Sequence, residues 1–240
     1  MNSKILYVTG CLGFMGSHLT RRLLNDGHQV TVLDKLQFKQ VSLLPYCFAP
    51  SFNFIYGDVR NETLLRKLVA HHDVIIPLAA IVGFPACKAD PKLAWEVNYE
   101  QIKTILDCLT DEQIILYPNT NSGYGIGEGQ TECTEESPLT PISVYGQTKC
   151  DAENFLRTST DAIIFRLATV FGVSPRMRTD LLINDFTYKA ITDKYIVIFV
   201  VSVDTWICHI QIIYGHTCSG RKMKAMTIAS PQCSSLGKLY

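Results

Sequence analysis

Short apolar runs alternate with stretches of helical apolar spacing along most of this chain. Residues 4–9 form an apolar run that stops at a glycine-rich turn, and residues 17–25 then place apolar side chains at helical intervals. Further runs at 29–33, 52–56, 73–78, 113–117 and 161–167 predict five more strands. Helices are predicted between them. One runs from an Asn61 N-cap to Ala70 and another starts at Pro91, with Leu93, Ala94, Val97, Ile102, Ile105, Leu106 and Leu109 on one continuous face. Two more open at Val144 and Leu181. Strands alternating with helices predict an α/β fold: a Rossmann-type doubly wound parallel sheet with helices on both faces.

A seventh apolar run covers residues 195–201, after which periodicity lapses. The expected organisation is therefore a domain over residues 1–203 and an atypical tail over 204–240 that packs poorly and costs little stability when deleted. Within the tail, Cys208, His209, His216 and Cys218 do not match a common zinc spacing, and no metal is expected.

Composition narrows the partners. Of 240 residues 47% are hydrophobic, enough for a sizeable core, while 22 basic and 22 acidic residues leave no net charge. Without a basic stripe there is no electrostatic case for nucleic acid or an anionic membrane, and a small-molecule partner is favoured. The longest apolar run is too short to span a bilayer, and no leader pattern precedes the first strand, so a soluble cytoplasmic protein is expected. Nine scattered cysteines without a CxxC pair are expected to be reduced.

Two stretches carry candidate chemistry. Gly10, Gly13 and Gly16 sit between a strand and a helix, where they permit a tight turn and close approach of backbone to a pyrophosphate. Asp34 ends the second strand about twenty residues on, where a carboxylate pairs with ribose hydroxyls and repels a 2′-phosphate, favouring NAD over NADP. Asp58 and Val59 end the third strand toward the adenine, and Leu78, Ala79 and Ala80 end the fourth with little bulk. Tyr145 and Lys149, four residues apart, share a helix face. A surface Tyr-Lys pair on an ordinary helix has the same spacing, so the pair gains chemical meaning only in context.

That context resembles a known family. The glycine turn GCLGFMG, Asp34, GDV at 57–59, PLAA at 77–80, the Thr120 segment and YGQTK at 145–149 together resemble the extended short-chain dehydrogenase/reductase family, in its nucleotide-sugar epimerase and dehydratase branch. The resemblance implies NAD held around Gly10, Gly13, Phe14, Met15 and Gly16, with Tyr145 as base. Lys149 would hold the nicotinamide ribose and lower the tyrosine pKa, with Thr120 on the reacting hydroxyl. Dehydratases of the family carry an Asp-Glu pair directly after the Thr, where this chain has Asn121 and Ser122. An amide and a hydroxyl cannot perform that acid-base work at neutral pH, so oxidation at C4, alone or as half of an epimerisation, is expected.

The wording of the segments around Thr120 and Arg176 is most similar to bacterial GDP-heptose C4-oxidising enzymes. It implies a nucleotide-sugar partner contacted by Ser122, Tyr124, Arg176, Arg178 and Asn184, and a homodimer built on the helices over 91–109 and 144–158. Thr169 stands where the family often has Asn. Family members continue for longer with a substrate-binding segment, so the expected substrate domain is incomplete, from truncation or a frameshift.

Overall fold

The computed structural model describes residues 5–125, 133–160, 162–195 and 210–214. Seven strands form one sheet in the order β3-β2-β1-β4-β5-β6-β7. They are β1 (Ile5–Thr9), β2 (Gln29–Asp34), β3 (Phe52–Tyr56), β4 (Val74–Pro77), β5 (Ile114–Thr120), β6 (Ala162–Leu167) and β7 (Ile210–Tyr214). The first six are parallel, as the alternating pattern predicts, and β7 runs antiparallel to β6.

Alternation along β1 separates two cores. Leu6 and Val8 point to the side covered by α1 (Phe14–Asn25), packing with Val30, Val32 and Ile76. Tyr7 points to the other, where α2 (Glu62–Val69), α5 (Gln101–Leu106) and α6 (Val144–Ser159) bury Leu65, Ile105 and Leu156 against Ile75, Ile115 and Ile164. Truncating any of these fully buried side chains to Ala would cost about 2–5 kcal/mol. The caps follow from local chemistry: Asn61 Oδ1 accepts from Leu64 N at 3.1 Å, as expected, and Ser143 Oγ accepts from Gly146 N at 3.0 Å to open α6.

Three expectations change. The helix after Pro91 is interrupted: α4 (Pro91–Trp95) passes through a π turn at Glu96–Glu100 before α5, and a short α3 (Phe84–Ala89) precedes it. The fifth strand runs on to Thr120, because its pairing with β6 continues from Tyr117↔Ile164 to Thr120↔Leu167. The tail expected to lack regular structure contributes β7, whose backbone pairs with β6 from Leu167↔Ile210 to Ile163↔Tyr214. Pairing to an open sheet edge, more than internal periodicity, makes this segment a strand. The helix predicted to open at Leu181 forms as α7 (Leu182–Thr192), which buries only Asn184 and leaves Leu182, Ile183, Tyr188 and Ile191 exposed. Most of the 195–201 run, the metal candidates Cys208, His209, His216 and Cys218, and much of the tail lie outside the described residues. Among the described residues no helix is long and apolar enough to cross a membrane.

Candidate functional site

A cavity of about 710 Å³ opens beyond the carboxyl ends of β1, β2, β4, β5 and β6. This is where an open parallel sheet reverses its strand order and collects ligands. One end is built by the glycine turn. Gly10 adopts φ +64°, and a Cβ there would stand 2.7 Å from the Ala79 backbone; one on Gly16 would stand 2.5 Å from Cys11 Cα. Both positions need glycine to keep the turn against its neighbours. Gly13 starts α1 without a side-chain cap, so the first-turn N–H groups beside Phe14 and Met15 remain for an anionic ligand.

Asp34 tightens this end by accepting from Leu12 N at 3.1 Å and Leu36 N at 2.8 Å, and it lines the cavity. Asp58 and Val59 line it too. Burial would raise the Asp58 carboxyl, but hydrogen bonds from Arg60 and the charge of Lys35 outweigh it and hold the acid at about 2. Arg60 also reaches Glu96 of the π turn at 3.0 Å, tying the Asp58 rim of the cavity to that helix. Leu78, Ala79 and Ala80 form the floor, carried there by an extension of β4 that Asn98 and Gln101 secure. Asn98 receives Ile81 N at 2.8 Å and donates to Ile81 O and Thr148 Oγ1, while Gln101 Nε2 donates to Ala79 O at 2.7 Å.

The other end gathers the candidate catalytic groups. Thr120, Ser122, Tyr145 and Lys149 all line it, with Asn121 between the first two. Thr120 Oγ1 donates to Ser122 Oγ at 3.1 Å and accepts from Ser122 N at 3.2 Å. Lys149 Nζ donates to Pro118 O at 2.6 Å and lies 3.9 Å from the Tyr117 ring centroid. Burial pulls the ammonium down to about 7, against smaller opposing effects of Cys150 and Glu153. The sequence-based expectation that Lys149 lowers the Tyr145 pKa does not hold in this state. Burial pushes the phenol up to about 12, the Thr120 hydroxyl opposes it only in part, and the lysine points at a carbonyl instead.

Arg176, Arg178 and Thr169 line the cavity beyond β6. Arg178 is paired with Asp180, Nε to Oδ1 at 3.1 Å, and Arg176 lies 3.9 Å over the Phe38 ring. Tyr124 and Asn184, expected at the substrate, are not among the lining residues. Tyr124 Oη instead accepts from Arg166 at 2.7 Å and donates to Thr134 O at 3.0 Å. Asn184 joins Gly172 N (2.8 Å) to Arg178 O (2.9 Å) and so shapes the loop that carries the arginines. Both are used by the protein's own frame, an arrangement that single-residue motif matching does not reveal.

A family model described as "NAD dependent epimerase/dehydratase family" matches residues 6–200. The chain belongs to that family. Among curated relatives it is 32% identical over 194 residues to the "Low-salt glycan biosynthesis protein Agl12" of Haloferax volcanii, covering 76% of this chain and 61% of that protein. It is 27% identical to a UDP-glucose 4-epimerase of Lactobacillus helveticus, over 71% of this chain and 52% of that one. Among solved structures, the dTDP-glucose 4,6-dehydratase DesIV of Streptomyces venezuelae, crystallised with NAD, superposes with a TM-score of 0.68 at 29% identity, covering 79% of this chain and 62% of that one. A UDP-N-acetylglucosamine 4-epimerase from Methanobrevibacter ruminantium gives 0.72 at 23% identity, over 80% and 64% of the two chains, and attests the shared fold. The chain thus spans between half and two thirds of the length of these relatives. NAD is the cofactor of the family, and the uncapped α1 turn, the glycines that admit no Cβ and the cavity-lining Asp34 fit it.

Proposed function

We propose that the protein catalyses NAD-dependent oxidation at C4 of a nucleotide-activated sugar, alone or as the first half of a 4-epimerisation. The observation that carries this reading is the meeting of Thr120, Tyr145 and Lys149 in one cavity beside Asn121 and Ser122, where no carboxyl group follows the threonine to expel water from the sugar. Bound NAD supplies the hydride acceptor. Tyr145 takes the proton of the C4 hydroxyl, and Thr120, itself hydrogen-bonded to Ser122, orients that hydroxyl. Ionising a phenol held at about 12 requires about 7 kcal/mol at pH 7, so the base works only where positive charge favours the phenolate. Lys149 is the cation on the same helix face, anchored by Pro118 O and close to half protonated at pH 7.

The sugar's diphosphate is assigned to Arg176 and Arg178, whose guanidinium groups suit paired phosphate oxygens, and a GDP-heptose is the substrate that the sequence resemblance favours. The partner in solution is a second copy of the chain, with the half-buried cluster of Trp95, Tyr99 and Phe155 on α4, the π turn and α6 at the contact. A second reading, a non-catalytic NAD-binding protein, is favoured by the raised Tyr145 and depressed Lys149, which leave the resting site unset for base catalysis. Mixing the protein with NAD and GDP-heptose or another nucleotide sugar separates the two. NADH absorbance, or a 4-epimer seen by NMR, that disappears in Tyr145→Phe supports the oxidoreductase. NAD binding with neither product across the nucleotide sugars supports the second reading.

A further inference from the structure

Behind the catalytic groups, and outside the cavity, lies an ion pair that the reaction as proposed does not use. Arg166 on β6 is 1% exposed and Glu153 on α6 is 0% exposed. The guanidinium meets the carboxylate through Nη2 to Oε1 at 2.5 Å and Nε to both oxygens at 3.2 and 3.1 Å. Burying two charges removes several kcal/mol of hydration per ion, and well-packed apolar residues often serve stability as well or better. The partners of the pair indicate another role. Glu153 Oε2 also accepts from Asn119 Nδ2, and Asn119 directly precedes Thr120 on β5. Arg166 Nη1 donates to Tyr124 Oη at 2.7 Å and the guanidinium lies 5.0 Å from that ring, at the end of the 3-10 turn Asn121–Tyr124 that carries Ser122. On α6, Glu153 follows Lys149 by one helical turn.

We propose that Glu153 and Arg166 are positioning residues, tying β5, β6, α6 and the turn after β5 into one register for Thr120, Ser122, Tyr145 and Lys149. The inference takes from the proposed function only the roles of those four groups. Lys149 is faced on its own helix by Cys150 and Glu153, and from β5 by the Tyr117 ring and Pro118 O. Arg166 from β6 and Arg157 of α6, 3.9 Å away, face Glu153, and Cys87 of α3 and Arg178 act on Tyr145. Glu153 is thus the one carboxylate acting on this lysine among the groups so named, and its removal leaves the buried ammonium with less support.

The test reads the titration of Lys149 without requiring turnover. The stability of the full chain is compared with that of Lys149→Met across pH 5–10, and the pH at which their difference begins to change reports the lysine's midpoint. The comparison is then repeated in a Glu153→Gln background, which keeps hydrogen-bond acceptors for Arg166 and Asn119 but removes the charge. The midpoint is expected to fall by about one pH unit, a tenfold smaller protonated fraction above it, while the NAD affinity of Glu153→Gln by calorimetry stays within about twofold of wild type because Glu153 does not line the cavity. Should Glu153→Gln fail to fold, Glu153→Gln/Arg166→Met, which leaves no unpaired buried charge, takes its place. An unchanged or raised midpoint overturns the proposal, whatever the nucleotide-sugar assay shows.

Discussion

Replacing Lys149 by methionine should make the protein more stable at neutral pH while removing a group assigned to catalysis. Burial brings the ammonium from the ordinary 10.5 of a lysine down to about 7, and at about 1.4 kcal/mol per pKa unit the charged side chain costs the folded state about 4 kcal/mol at pH 7. Methionine has a similar length and no charge. Against the gain stands the Pro118 carbonyl, which loses its donor at a cost of about 1–3 kcal/mol, so a net gain of about 1–3 kcal/mol is expected at pH 7. The pH dependence is cleaner than the absolute value. Between about 7 and 10.5 the folded chain binds fewer protons at this site than the unfolded chain, so wild-type stability rises with pH across that window. The advantage of Lys149→Met should therefore shrink by about 2 kcal/mol between pH 7 and pH 9. Groups common to both proteins cancel in the difference, and urea unfolding followed by tryptophan fluorescence at each pH measures it. Parallel stability curves for the two proteins over that range would refute the reasoning, because they would mean that Lys149 keeps the same pKa folded and unfolded.

Gly16→Ala places a methyl 2.5 Å from Cys11 Cα and 2.6 Å from Gly10 O, so it should cost about 1–3 kcal/mol in thermal melts and weaken NAD at least tenfold by calorimetry. NAD should bind more tightly than NADP, since Asp34 is held facing the cavity by Leu12 N and Leu36 N; equal affinities would remove Asp34 from the ribose. Deleting residues 204–240, expected from sequence to be harmless, should instead lower the melting temperature and promote aggregation, because it strips β7 from β6 and opens a sheet edge. Light scattering at micromolar concentration should report a dimer, and Tyr99→Lys should shift it toward monomer.

The sequence made the sheet legible wherever a strand is buried on both faces, as in β4, whose four residues are all buried and apolar. The glycine turn, Asp34 and the Tyr145-Lys149 pair were legible because their chemistry depends on spacing along a single element. What escaped depends on contacts between elements. Arg166 is a lone charge in an otherwise apolar strand, and that oddity alone signals a buried partner, but naming Glu153 requires the packing of α6 on β6. Tyr124 matched a motif and yet turns away from the cavity, because Arg166 captures its hydroxyl. The electrostatics of Lys149 escape for a related reason: helical spacing says which face the side chain shares, and not that Pro118 O will claim it.

The π turn at Glu96–Glu100 acts as a phase shifter between α4 and α5. Each residue of an α-helix advances the angle by about 100°, so the one extra residue of a π turn rotates everything beyond it by about that amount. Ala94 before it, Val97 within it, and Ile102 and Ile105 after it all reach the core, while Asn98 and Gln101 turn onto the β4 extension that floors the cavity. An uninterrupted α-helix would have to give up either part of the core or this grip on the floor. Removing a single residue from this turn is therefore a change of angle more than of length: with the helix above it still docked, the cavity floor would lose its clasps.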